Sequence, residues 1–138
     1  MSAVQKNLKD LNSKIIFITP SIYDQTAKIK THNYFGVNDA LAKCAEYVKE
    51  SARKLNSGYV DFHQAMGIIN GKIQKNDPSA TIIGPDRVHP RPDPGHFIMA
   101  YQFLKAQALP KYVSQTVIDS KKKSVIKNYN CTISNVEV

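Results

Sequence analysis

Lys14-Ile15-Ile16-Phe17-Ile18-Thr19, closed by Pro20, is a continuous β-branched and aromatic run with no polar alternation. Such a run fits a strand buried on both faces, as in a parallel sheet, rather than a half-solvated antiparallel one. Working outward, Val4, Leu8 and Leu11 fall at helical spacing before it, which predicts a short amphipathic helix over 3–12. After it, a polar loop runs to Asn33. A second helix is then expected from Asn38, with Asn38 as its cap, Asp39 at its positive end, and Leu41, Ala45, Val48 and Ala52 as its buried stripe. Asn56-Ser57-Gly58 stops that helix, and Gly58-Tyr59-Val60-Asp61-Phe62 reads as a second strand.

A weaker helical pattern follows, with Phe62, Met66, Ile69 and Ile73 on one side and breaks at Gly67 and Gly71. The Pro- and Gly-rich stretch 76–95 is expected to be an irregular surface excursion. A last helix is predicted over 96–108, stopped by Pro110. Two weakly alternating segments, 112–118 and 124–138, read as strands around the turn Lys121-Lys122-Lys123. Helix and strand in alternation, with apolar strands, define an α/β domain whose parallel sheet lies between helices. Two strong strands leave an apolar edge open, which invites pairing and predicts a partial sheet with self-association through its edge as one outcome.

The chain has 138 residues, 42% of them hydrophobic, enough for one core without disulfides or metal. Its formal charge of +8 comes from scattered lysines. The one dense run, at 121–123, lacks the interleaved aromatics of a base-stacking surface and reads as a solvated turn, so nucleic acid is not an expected partner. No segment approaches the ~20 apolar residues of a membrane span. Met1 is followed by a polar segment, and localisation stays open. Cys44 and Cys131 have no metal-ligand spacing, and Cys44, in the helical stripe, is expected to be a buried free thiol.

The chemistry concentrates in Gly84-Pro85-Asp86-Arg87-Val88-His89-Pro90, followed by Gly95-His96-Phe97-Ile98-Met99-Ala100. A carboxylate three residues before a histidine, on a loop entering a helix, can bond one ring nitrogen. That bond fixes the tautomer and leaves the other nitrogen free as a general base for a hydroxyl nucleophile. Asp86 and His89 are therefore the candidate catalytic residues. The plainer reading is an aspartate capping a turn and a histidine packed beside prolines.

The block Asp86 to Pro90, with Gly95-His96 opening an apolar helix, is similar to the last block of the SGNH (GDSL-type) ester hydrolases, where Asp and His complete a Ser-His-Asp triad. Residues 14–20 resemble that family's fourth strand, 33–55 its next helix, and 59–62 its fifth strand. The resemblance covers about residues 3–109. It implies a partial flavodoxin-like, three-layer α/β/α sandwich lacking the N-terminal strands, over 1–110, with an appended, truncated β-like segment over 111–138. It also implies a small-molecule acyl or acetylated-carbohydrate ester as substrate, no cofactor, and His89 acting on a serine through an acyl-enzyme. Full-length relatives are often exported.

The departures matter as much. Nothing here matches the family's Gly-Asp-Ser segment or its oxyanion-hole glycine block, which predicts a C-terminal fragment that is inactive alone. Gly36-Val37-Asn38-Asp39 spells another family block but follows the first strand instead of preceding it, and reads as a helix cap. Arg91-Pro92-Asp93-Pro94 makes the gap to Gly95 one residue longer than usual. Ser21 is the one serine at the correct end of the sheet, without a nucleophile elbow around it. Two readings from other classes stay open: a metal-binding module using His89, His96, Asp86 and His63, and a non-catalytic interaction module that accepts partners at the sheet edge.

Overall fold

The structure, a computed structural model, describes residues 3–109 and 112–135. The chain divides into two compact units, 1–107 and 108–138. The first opens with helix α1 (Ala3–Asp10), then strand β1 (Ile16–Ile18), helix α2 (Val37–Lys54), strand β2 (Gly58–Val60), helix α3 (Phe62–Gln74) and helix α4 (Pro94–Ala106). The second is a hairpin of β3 (Gln115–Asp119) and β4 (Ser124–Tyr129).

Strands β1 and β2 pair in parallel, Ile16 with Gly58 and Ile18 with Val60. The pairing continues one step beyond them through Thr19 N–H to Val60 O, 3.0 Å. Among the described residues this sheet has only these two strands. That explains a departure from expectation: Ile16 and Phe17 are half-buried and Ile18 is exposed, because a strand is covered on both faces only inside a wider sheet.

Helix α2 packs on both strands, its inner stripe formed by half-buried Leu41 and Val48 and fully buried Ala45 and Ala52. Cys44, one residue before Ala45, turns away from that stripe and is exposed, which corrects the expectation of a buried thiol. Asn38 does not cap the helix either. Gly36, in a left-handed conformation at φ 88°, takes the cap position, while Asn38 Oδ1 accepts Tyr23 N–H at 3.0 Å and ties α2 to the preceding loop. Helix α3 runs unbroken through Gly67 and Gly71, capped by Asp61, whose carboxylate accepts Gln64 N–H at 3.0 Å.

The apolar core joins Ile22, Val60, Phe62, Met66, Ile82, Ile83 and Ile98, with Ile16, Ile69, Ile73 and Met99 packed against it. Burying isoleucine and phenylalanine side chains of this kind stabilises a fold by roughly 1.5–3 kcal/mol each, less the ordering entropy. Two segments, one expected to be a polar loop and the other a surface excursion, contribute buried residues. Ile22, Tyr23, Asp24 and Ala27 are buried in the loop after β1, and Ile82, Ile83, Gly84 and Arg87 in the Pro- and Gly-rich stretch.

In the second unit, β3 and β4 pair antiparallel, with a register shift between Val117 and Ile118, around a turn that contains Lys121, Lys122 and Lys123. Both strands are shorter than expected, and 136–138, part of the longer prediction, lie outside the described residues. Val117, Ile118, Val125, Ile126 and Tyr129 are all exposed.

Candidate active site

The Asp86–His89 turn is built by two short stretches running back to back. Ile83 and Pro90 form an antiparallel bridge, Gly84 N–H donates to His89 O at 2.6 Å, and Arg91 N–H donates to Ile82 O at 2.9 Å. Because Ile82 and Ile83 are core residues, the base of the turn is fixed by burial, and Pro85 to Val88 project from it. Gly95, at the start of α4, allows the helix to press on this base. A Cβ there would lie 2.7 Å from Pro90 Cβ and 2.8 Å from Ile82 O. Pro94 occupies the first helical turn, where its missing N–H is harmless, so α4 begins two residues earlier than His96. The other side of the turn meets the loop that leaves the C-terminal end of β1, through Asp24 N–H to Arg87 O at 2.9 Å.

Within the turn, Asp86 uses both carboxylate oxygens. Oδ1 accepts the N–H groups of Val88 and His89, each at 3.1 Å, and Oδ2 lies 2.5 Å from His89 Nδ1. The hydrogen bond to His89, then the two backbone N–H groups, hold the Asp86 carboxyl down at about 2. An ionised carboxylate only accepts, so the shared proton belongs on Nδ1 and Nε2 carries the free lone pair. The imidazole is 83% exposed and the carboxylate side chain 48%. Among the described residues the ring bonds only Asp86, and no hydroxyl reaches Nε2. A base of this form can take a proton from a hydroxyl presented to it and stabilise its own cation through Asp86.

Ser21, the candidate serine, is half-buried after β1 and makes no hydrogen bond to the ring. The four side chains of the metal-binding reading do not come together: among the described residues no three His, Cys, Asp or Glu side chains form a group that could hold a metal ion. His96 sits exposed on α4, and His63, on α3, donates its backbone N–H to Thr19 Oγ1. The Asp61 that precedes it caps α3 and pairs with Lys49 Nζ at 2.5 Å. Burial pushes its carboxyl up, but Lys49, Gln64 N–H and Thr19 together hold it below the usual range, a structural role.

Sequence reading missed two buried charges beside the site. Asp24, 1% exposed, accepts Thr26 N–H, Thr26 Oγ1, Ala27 N–H, Gln74 Nε2 and Thr81 Oγ1. Burial works to raise its carboxyl, and hydrogen bonds from Thr81, Asn70, the Ala27 N–H and Thr26 outweigh that and bring it to about 2. Arg87, 2% exposed, lies between the two candidate catalytic residues at φ 66°. The available signal was local: Asp24 followed by Thr26 is the spacing at which an aspartate folds back on the backbone two residues ahead.

No protein-family profile and no curated protein matches the chain. Solved structures do. A gut microbial diltiazem-metabolizing enzyme is 38% identical over 96% of this chain, with a TM-score of 0.76, and this chain spans 31% of it. An acetylxylan esterase from Geobacillus stearothermophilus is 26% identical over 78% of the chain, TM-score 0.58, with 44% of the esterase covered. Two further structures of that esterase are described as catalytic mutants, one replacing a serine and one an aspartate with alanine. A protein from Parabacteroides merdae assigned as a GDSL-like lipase, 23% identical with TM-score 0.52, shares the fold. The chain shares the fold of these structures, a partial α/β fold of the SGNH/GDSL hydrolase kind. It spans about a third of the first relative and less than half of the others.

Proposed function

We propose that this chain carries the acid–base pair of an SGNH-type carboxylic-ester hydrolase site, His89 as general base and acid and Asp86 as its orienting carboxylate, and that the nucleophilic serine comes from polypeptide other than the described residues. The observation that carries this reading is the 2.5 Å contact between Asp86 Oδ2 and His89 Nδ1, with Oδ1 pinned by two backbone N–H groups and Nε2 left open. In the reaction, His89 takes the proton of the serine as its oxygen attacks the acyl carbon, and returns it to the leaving alcohol. Water then repeats the cycle and releases the acid. The serine and oxyanion donors supply most of such a rate enhancement, so the chain alone is nearly inactive. The substrate class is a small acyl or acetylated-carbohydrate ester, in keeping with the esterase relatives. The unpaired edges of the two-stranded sheet offer the covering polypeptide a place to add strands, and a second copy of this chain is the competing occupant.

The test is a chimaera in which this chain replaces the matching segment of the diltiazem-metabolizing enzyme, assayed with p-nitrophenyl acetate beside the isolated chain. The chimaera is expected to hydrolyse the ester, and His89→Ala within it to remove roughly 10³-fold or more of the rate. A folded chimaera insensitive to His89→Ala would refute the assignment. Turnover by the isolated chain that vanishes in His89→Ala would place the nucleophile within the chain, with Ser21 the first residue to replace.

A further inference from the structure

Arg87 combines three features that rarely coincide: a buried guanidinium, a positive φ, and a position between the two members of the Asp86–His89 pair. The five N–H groups of its guanidinium all find acceptors, and all of these are backbone carbonyls of the loop after β1. Nη1 donates to Asp24 O at 2.8 Å and Ala27 O at 3.1 Å, Nη2 to Ile29 O at 3.2 Å and Thr31 O at 3.0 Å, and Nε to Thr31 O at 3.2 Å. The backbone of the same residue is held as well, N–H to Gly84 O at 3.0 Å and O to Asp24 N–H at 2.9 Å. Among the described residues no carboxylate pairs with the guanidinium and backbone carbonyls are its hydrogen-bond acceptors, an arrangement that only a fixed loop can offer.

We infer that Arg87 is a positioning residue: by clasping the carbonyls of 24–31 it holds residue 87 in its left-handed conformation and thereby keeps the Asp86 carboxylate on His89 Nδ1. The link is geometric. With residue 87 left-handed, the N–H groups of Val88 and His89 point back at Asp86 Oδ1, and those two bonds aim Oδ2 at the ring. A residue with a side chain rarely adopts positive φ unless its surroundings impose it. Without the clasp, residue 87 relaxes to negative φ, the two N–H groups turn away, and the carboxylate is released. The inference rests on reading the pair as a general-base dyad, but its test does not depend on hydrolysis.

The test is nitrogen-15 NMR of His89 in the intact chain. The parent is expected to show a single tautomer, protonated at Nδ1, in its ring nitrogen shifts. Arg87→Asn tolerates left-handed backbone yet removes the guanidinium, and Arg87→Lys keeps the charge with fewer donors. Arg87→Asn should show mixed tautomers, with Arg87→Lys intermediate, while core amides stay protected. An Arg87→Asn protein that is folded and keeps the parent His89 signature overturns the inference. The unmutated chain supplies a measurement that no folding failure can spoil. The amides of Val88, His89 and Asp24 should exchange from one common opening, their protection agreeing within about tenfold. Much faster exchange at Val88 and His89 than at Asp24 would show the dyad turn opening while the clasp stays shut, and would equally overturn it.

Discussion

Replacing Gly95 with alanine tests whether close approach of α4 to the base of the turn organises the site. The added Cβ would lie 2.7 Å from Pro90 Cβ, 2.8 Å from Ile82 O and 3.0 Å from Pro90 C. Carbon atoms sit best at roughly 3.5–4.0 Å, so the overlap with Pro90 is about an ångström, and two of the three atoms are backbone that cannot rotate away. Overpacking of this kind costs typically 1–3 kcal/mol. Alanine offsets that by at most ~1 kcal/mol of helix propensity, and by less so near a helix start. Gly71 is the matched control: it lies inside α3 with nothing within 4 Å of a Cβ, so Gly71→Ala has only the propensity gain. Gly95→Ala is therefore expected to be the less stable of the two by about 1.5–4 kcal/mol. Urea unfolding measures the difference as a separation in midpoint on the order of 1 M at unchanged slope. Equal midpoints would refute the reasoning, because they would mean that the turn and α4 separate freely.

Two other expectations concern the carboxylates. Asp86, held at about 2 chiefly by His89, has a folded value below its ordinary 3.8. Its pairing is thus complete above about pH 4 and lost as pH falls through about 2. Carboxyl carbon-13 NMR should find that low midpoint and see it rise toward 3.8 in His89→Ala, and a midpoint unmoved by that change would deny the contact. Asp24 is also held at about 2, against the effect of its burial, so its contribution follows the same direction with pH. Asp24→Asn keeps the shape but turns an acceptor oxygen into a donor among Thr81, Gln74 and Thr26. It is expected to cost about 1–3 kcal/mol at neutral pH in thermal or urea unfolding, with the deficit narrowing toward pH 2.

Much of the order of elements was legible because periodicity reports burial directly: 14–19, 38–55 and 58–62 give β1, α2 and β2. Periodicity alone misjudged what depends on neighbours. Phe17 and Ile18 look doubly buried in sequence, yet burial needs flanking strands. Cys44 lies one residue off a stripe whose phase a single chain fixes only to within a residue. Gly67 and Gly71 did not break α3, because packing of Phe62, Met66 and Asn70 outweighs two propensity penalties of about 1 kcal/mol each. The Asp86-His89 spacing was readable because it is local. Arg87 was not, since a polar residue in a Pro- and Gly-rich stretch looks solvent-facing until its partners, some sixty residues away, are known; for Asp24 the local turn spacing was visible but its burial, set by Gln74 and Thr81, was not.

That separation has a consequence for how the chain is made. The carbonyls of Asp24 and Ala27 meet their guanidinium across 63 and 60 residues of sequence. At synthesis speeds of about 5–20 residues per second, the segment after β1 waits on the order of 3–12 s for its counterpart to leave the ribosome. Until residue 87 arrives, the carbonyls of Asp24, Ala27, Ile29 and Thr31 lack the guanidinium that joins them, so the loop after β1 reaches its final form only when the Asp86–His89 turn is made.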